Sequence, residues 1–419
     1  MNIIDELEWR EAVNQQTDAE GLRELTNQKA ISLYCGVDPT GSSMHIGHLI
    51  PFMVLKRFQL AGHRPVILIG GATGTIGDPS GRQAERSLQT LEQVQENVDA
   101  LTAQMKKLFV IEGDNQIRMV NNYDWTHKIN VIEFLRDYGK NFSINAMLAK
   151  DVVASRLETG ISFTEFSYQI LQSLDYLHLY QHEDVQLQIG GSDQWGNITS
   201  GLDLIRKKEG SEAKAFGLTI PLMLKADGTK FGKTAGGAIW LDPNLTTPYE
   251  FYQFWANTDD RDVVKYLKYF TFLSQEEIEA LAEKVQMEPH KREAQKALAE
   301  EMTRFVHGEA LLEQAKRITA ALFSGDIKSL TADEIEQGFK EMPTFEAAPE
   351  PRNIVDWLVE LGIEPSKRQA REDIAGGAIS LNGDRVTDPT LEVSADHAIG
   401  GRFVIIRKGK KNYSLVKMI

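Results

Sequence analysis

Short apolar segments with strand character recur through the first half of the chain, at residues 32–37, 65–70, 117–121 and 185–189. Segments of helical periodicity separate them, at 48–61, 88–108 and 162–179. This alternation leaves few folds open. Parallel neighbours need a long crossover, the crossover is usually a helix, and helices on both faces of a sheet give an α/β, Rossmann-like doubly wound parallel sheet. Such sheets take ligands beyond the carboxyl ends of their strands, so the residues that follow each expected strand are the place to look for chemistry. Further along, 248–324 reads as almost wholly helical, and 341–351, with three prolines, reads as a linker. The remainder reads as a small α/β segment with a hairpin signal at Asn382-Gly383. The expected division is a catalytic domain over 1–225, a helical domain over 226–340, the linker over 341–351, and a terminal domain over 352–419.

Directly after the first strand comes DPTGSSMHIGH, residues 38–48. His45 and His48 are three apart, so a helix puts them on one face. Gly47 between them removes a side chain where a flat base could approach the backbone. A helix N-terminus suits phosphate. A capped surface helix and a metal-binding histidine pair meet the same pattern, although helical metal pairs usually stand four apart with a third ligand, and none is evident. Pro51 fits only in a first turn, which places the helix start around His48. A second signal is KADGTKFGKT, residues 225–234, where Lys230 and Lys233 sit among small residues. It can fold over a polyphosphate, or be an exposed hairpin with solvated lysines. A third is Tyr168, Gln172 and Asp175, which share one face of an otherwise apolar helix. They either pair within the core or line a pocket, because buried polar groups left unpaired cost about 1–3 kcal/mol each.

The net charge of −14 argues against indiscriminate nucleic-acid binding. From Arg352 onward, however, eleven Lys/Arg stand against nine Asp/Glu, and Arg402, Arg407, Lys408, Lys410, Lys411 and Lys417 have no acidic residue among them. That is a patch fit for phosphates, or an ordinary solvated tail. Cys35 is the single cysteine, which excludes a disulfide scaffold and a multi-cysteine zinc site. The opening MNIIDELEWR lacks the apolar stretch of an export signal, and no run approaches about 18 apolar residues. A cytoplasmic location with no membrane partner is expected.

His45-Ile46-Gly47-His48 matches the HIGH signature of class I aminoacyl-tRNA synthetases, and Lys230-Phe231-Gly232-Lys233-Thr234 resembles their KMSKS loop in the form typical of bacterial tyrosyl enzymes. Gly77-Asp78-Pro79-Ser80-Gly81, the run from Gly190 to Asn197, and Ser366 to Ile374 are similar to further pieces of the tyrosyl family in the same order, so the resemblance covers nearly the whole chain. It implies a ligase that activates tyrosine with ATP and passes it to tRNA(Tyr), with Mg²⁺ accompanying ATP and no tightly held protein metal. Asp175 and Tyr34 would bond the substrate phenol. Tyr168, Gln172 and Asp78 would hold its ammonium, and Gln194 with Asp38 would complete the adenylate pocket. Thr40 and His45 would bond the γ-phosphate side, with Lys230, Lys233 and Thr234 over the pyrophosphate. His48 and Cys35 would meet the ribose, Asp193 a ribose hydroxyl, and Gly36, Gly47, Gly191, Phe231 and Gly232 the rest of ATP.

Residues 352–419 resemble an S4-type RNA-binding domain, which implies tRNA contacts from Lys367, Arg368, Arg371, Arg407, Lys408, Lys410 and Lys411. Arg206, Lys207 and Lys208 offer a second basic cluster, either for the acceptor stem or as a solvated helix end. The family also implies a homodimer, with Phe163 at its interface. Three other readings compete: a small HxGH nucleotidylyltransferase, a tryptophanyl enzyme, and an RNA-binding protein without catalysis.

Overall fold

The structure, a computed structural model, describes residues 1–80, 84, 88–229, 231–234, 237–340, 342–409 and 412–419, and of 233 and 234 only the backbone. Lys230, Lys410, Lys411, Gly81 and the side chains of Lys233 and Thr234 therefore lie outside what is described.

The chain forms two compact units: 1–245 with 258–301, and 246–257 with 302–419. The first is built on six strands: β1 (Gln15–Gln16), β2 (Ser32–Val37), β3 (Arg64–Ile69), β4 (Arg118–Asn121), β5 (Val185–Gly191) and β6 (Phe216–Ile220). Their order is β1-β6-β5-β2-β3-β4, parallel except for β1 at the edge. β2, β3, β5 and β6 are buried almost along their length, as strands covered on both faces should be. The expected doubly wound sheet is present. The strand after β2 lies on one side of it and β5 on the other, so the topology reverses between β2 and β5.

Helix Phe163–Glu183 starts where the Ser162 hydroxyl accepts the Glu165 N–H, and it ends where Asp184 turns left-handed. It packs against helix Trp195–Glu209 through Gly201, where a Cβ would come within 3.1 Å of the Tyr176 ring. Leu174, Tyr176, Leu177, Ile198 and Leu202 share one apolar core with Tyr34 and Val66 of the sheet.

Helix Ile46–Leu60 begins two residues earlier than expected, with His45 as its extended N-cap. Pro51 is consequently inside the helix rather than in its first turn. A proline there has no N–H for the carbonyl of Gly47, so one helical bond is missing at that point.

The second unit departs most from expectation. Residues 258–301 belong with the first unit instead of with a separate helical domain. The expected linker contains strand Thr344–Ala347, which runs parallel to Asn412–Met418 at the edge of a five-stranded sheet. Phe345 and Ala347 pack on the core, and the neighbouring prolines flank the strand, a position where a missing ladder donor is tolerated. In strand Phe403–Lys408, Val404 and Ile406 face one core while Phe403 and Ile405 face another, which also holds Ile318, Ile335 and Phe339. The helices before 341 and the strands after 352 thus share an interior. The hairpin at Asn382 and Gly383 is formed, both residues having positive φ.

Candidate active site

At the carboxyl ends of β2 and β5 a cavity of about 350 Å³ opens. Tyr34, Cys35, Gly36 and Asp38 reach it from β2 and its exit, Thr40, Gly47 and His48 from the following loop and helix start, and Asp78 from a loop. Tyr168, Gln172 and Asp175 come from helix Phe163–Glu183, and Gly191, Asp193 and Gln194 from the end of β5. The polar stripe on that helix lines the cavity, and its members are also hydrogen-bonded to neighbouring side chains, so both features its spacing allowed are present.

Asp175 is 2% exposed. The Asn122 amide donates to its Oδ2 and the Trp125 indole N–H to its Oδ1, each at 2.9 Å. Burial raises its carboxyl to about 7, and the two donors partly offset that effect. Tyr34, 1% exposed, has a buried hydroxyl with no hydrogen-bond partner among the described residues. Burial pushes that phenol well above its usual range, with the charge of Asp175 adding to the effect. Asn122 also donates to Thr73 Oγ1 at 3.0 Å, the Thr73 hydroxyl donates to Asp38 Oδ1 at 2.7 Å, and the Tyr168 hydroxyl donates to Asp38 Oδ2 at 2.9 Å. One chain of bonds therefore links Asp175 to Tyr168. Nearby, Gln194 donates to Asp78 at 2.8 Å and Asn197 to Gln172 at 3.1 Å.

Sequence reasoning missed Asn122, Trp125, Thr73 and Asn197. Asn122 follows β4 directly, where the ligand side of a parallel sheet begins, so its place was the available signal. It also missed Gln188, which pairs in register with Tyr34 and lines the cavity, and whose Oε1 is buried without a partner among the described residues. A polar side chain inside an apolar strand was the sign.

At the start of helix Ile46–Leu60, the Nδ1 of His45 accepts the Gly47 N–H and the Nδ1 of His48 accepts the His45 N–H, both at 3.1 Å. This reciprocal cap stacks the two rings, 3.9 Å between centroids. With Nδ1 an acceptor in each, the neutral rings carry their protons on Nε2. Gly47 cannot carry a side chain, since a Cβ would meet the His45 ring at 2.8 Å. Cys35 is buried, and its thiol is pushed up to about 12 by burial, so it is a neutral group there.

The lysine segment lies beside this helix. Ile46 N–H donates to Ile239 O at 2.9 Å and Leu241 N–H to Met44 O at 2.8 Å. Gly232, with φ +90°, sits where a Cβ would be 3.4 Å from Gly47 N. Phe231 is not at the cavity. Its ring is buried against Phe270 and Tyr266, at 5.0 and 5.1 Å. Among the described residues, no group of three or more His, Cys, Asp or Glu side chains is arranged to hold a metal ion. No helix among them is long and apolar enough to cross a membrane.

The basic candidates elsewhere are mostly partnered. Lys367 pairs with Asp356 at 2.8 Å, and Arg368 with Glu372 at 2.9 Å. Lys408 pairs at 2.8 Å with Glu364, whose side chain is fully buried. Arg407 lies over the Tyr413 ring, and Arg371 is exposed. Lys207 and Lys208 donate to the carbonyls of Asn141 and Asp137, and Arg206 is exposed at the same helix end.

A doubly wound sheet, a histidine-capped helix at its switch point and a lysine segment beside that helix define a class I aminoacyl-tRNA synthetase. A family model described as class I tRNA synthetases for tryptophan and tyrosine matches residues 26–324, and one described as the tyrosine–tRNA ligase C-terminal domain matches 334–416. Tyrosine–tRNA ligase 2 of Bacillus cereus is 79% identical over 418 residues, all of both chains, and tyrosine–tRNA ligase 1 of Enterococcus faecalis is 70% identical over 419 residues, again all of both. A C-terminally truncated mitochondrial tyrosyl-tRNA synthetase from Aspergillus nidulans is a structural neighbour, with TM-score 0.69, 33% identity, and coverage of 77% of this chain and 94% of that one. The chain belongs to the tyrosine–tRNA ligase family. It is an enzyme that activates tyrosine with ATP and transfers it to tRNA.

Proposed function

We propose that the phenol of the substrate is read by Tyr34 and Asp175 together. One observation carries this reading: a buried tyrosine hydroxyl without a partner among the described residues stands in the same cavity as a desolvated carboxylate already oriented by two donors. A substrate hydroxyl would donate to Asp175 and accept from Tyr34. Phenylalanine would leave both unsatisfied, the situation in which a site rejects an analogue by about 10⁴–10⁵, and tyrosyl enzymes are themselves the standing example.

Tyr168, Gln172 and Asp78 hold the ammonium, with Gln194 orienting Asp78. The substrate carboxylate is its own nucleophile toward the α-phosphorus, so positioning and charge stabilisation do the work. Thr40 and His45 serve the γ-phosphate side, His48 and Cys35 the ribose, Asp193 a ribose hydroxyl, and Asp38 with the glycines at 36, 47, 191 and 232 leaves room for the nucleotide. Lys230, Lys233 and Thr234 clamp the pyrophosphate. Mg²⁺ arrives with ATP, held by phosphates and water, and shields their charge.

The terminal segment 352–419 serves tRNA through Lys367, Arg368, Arg371 and Arg407, with Lys410 and Lys411 nearby in sequence. Arg206 and Lys207 guide the acceptor end. Lys408 is better explained as the partner of Glu364. Phe163, 72% exposed, anchors a homodimer interface.

The test is ATP–pyrophosphate exchange with tyrosine, phenylalanine and tryptophan on wild type and Asp175→Ala. Exchange with tyrosine alone, lost in the variant, is expected. Exchange that survives in Asp175→Ala removes the pocket assignment.

A further inference from the structure

Helix Asp260–Phe270 touches both signature segments of the first unit. We propose that it is a rigid bridge that sets the lysine segment against the histidine-capped helix, with Asp262 and Tyr269 as positioning residues for adenylate formation. The inference rests on the reading above of the lysine segment as a pyrophosphate clamp.

The first turn of the bridge holds the base of the lysine segment, and aromatic side chains of its last turn hold Phe231. Asp262, 7% exposed, accepts the Ala226 N–H at 2.9 Å. The Phe231 ring stacks on Phe270 and meets Tyr266 edge-on. Residues on both sides of Lys230 are therefore fixed to this helix by one buried hydrogen bond and one aromatic cluster.

The last turn also holds helix Ile46–Leu60. Tyr269, buried, donates its hydroxyl to the Ile50 carbonyl at 2.9 Å. Ile50 precedes Pro51, and both line the cavity. This is the stretch where the helix lacks a bond of its own, because Pro51 offers no N–H to Gly47. The Tyr269 bond does not replace the missing one at Gly47; it holds the carbonyl of the peptide that joins Ile50 to Pro51, two residues from His48. Arg57 and Arg10, both buried, donate to the carbonyls of Tyr269 at 2.9 Å and of Lys268 at 2.8 Å, at the negative end of the bridging helix. The bridge is thus locked to the histidine helix along its last turn, and it holds the lysine segment at both its first turn, through Asp262, and its last, through Tyr266 and Phe270.

Asp262 and Tyr269 are seven residues apart, about 10 Å along the helix. Losses from independent sites at that distance multiply. Losses along one mechanical connection fall short of that product, because each release removes part of the position that the other transmits.

Tyrosine-dependent exchange is measured on the full chain for wild type, Asp262→Ala, Asp262→Asn, Tyr269→Phe, the Asp262→Ala/Tyr269→Phe double variant, and Lys233→Ala. Asp262→Ala and Tyr269→Phe each lower kcat about five- to tenfold, with tyrosine KM within about twofold of wild type. Asp262→Asn, whose amide oxygen still accepts from Ala226, keeps most of the rate. The double variant is slower than wild type by clearly less than the product of the two single losses. Multiplied losses overturn the bridge, as does a tyrosine KM that rises with the fall in kcat, or an Asp262→Asn variant as slow as Asp262→Ala. If Asp262→Ala does not fold, Asp262→Glu, which displaces the acceptor by one methylene, takes its place under the same criteria. Wild-type kcat in Lys233→Ala overturns the clamp and the bridge with it. Impaired Lys233→Ala beside unimpaired Asp262→Ala and Tyr269→Phe overturns the bridge alone.

Discussion

The cavity beyond β2 and β5 and the basic face of 352–419 are the two places where we propose that charge meets a ligand, and they are built in opposite ways. In the cavity, Asp175 is buried, oriented by Asn122 and Trp125, and raised to about 7 by desolvation. On the terminal segment, Lys367 and Arg368 are exposed and each pairs with a carboxylate. Distinguishing one hydroxyl requires groups that lose a partner when it is absent, and only buried groups do. Meeting a polyanion requires a local surplus of charge, to which each residue adds a little. Single substitutions should therefore be severe in the first region and mild in the second.

The largest effect belongs to Asp175→Ala. It should lower kcat/KM for tyrosine in exchange by about 10²–10³, the loss of one charge-assisted bond plus two buried donors left over. Asn122→Ala should raise tyrosine KM about 10–30-fold at pH 7 with kcat nearly kept. Removing that donor lets the Asp175 carboxyl rise further and protonate, weakening its role as acceptor. If Asn122→Ala matches wild type, the network is not what orients Asp175.

The same carboxyl gives a pH signature. Its value in the empty pocket is raised to about 7, so below that pH the acceptor is increasingly neutral. Tyrosine KM should rise about tenfold from pH 8 to pH 6, with binding releasing a proton. The stability linkage runs the other way. A carboxyl raised above its unfolded value of 3.8 favours the folded state at low pH and loses that contribution as pH rises toward 7. Asp175→Asn should therefore raise the melting temperature at pH 8 while abolishing the pH dependence of tyrosine KM.

On the terminal segment, Arg371→Ala should raise the tRNA KM of aminoacylation only about two- to fivefold, reduce the salt slope by about one, and leave exchange unchanged. Lys408→Met should affect tRNA least. It leaves the Glu364 carboxylate buried without its cation, so its expected signature is a lower melting temperature rather than a changed tRNA KM. A strong tRNA effect from Lys408→Met with stability intact would erase the contrast between the two regions.

The sheet was legible because β2, β3 and β5 are apolar runs bounded by turn residues, and because parallel strands covered on both faces leave that pattern. Thr344–Ala347 was not, since prolines around a short edge strand look the same as prolines in a linker. The helix spacing of Tyr168, Gln172 and Asp175 was readable as one face, but only the fold decides whether that face meets solvent, core or cavity. Asn122, Trp125 and Gln188 come from the residue after β4, the short helix that follows and β5, and no local pattern ties them to Asp175 or Tyr34. His45 and His48 were read as neighbours on a helix. The reciprocal cap that fixes their tautomers depends on backbone geometry at the helix start, which spacing does not reveal.

The most direct measurement is the ratio of kcat/KM for tyrosine over phenylalanine in ATP–pyrophosphate exchange, on wild type and Tyr34→Phe. If the buried Tyr34 hydroxyl awaits the substrate phenol, the ratio falls about tenfold, all of it from slower tyrosine activation, while phenylalanine activation is unchanged. An unchanged ratio, or an equal loss for both amino acids, contradicts the assignment of Tyr34 and Asp175 as the pair that reads the hydroxyl.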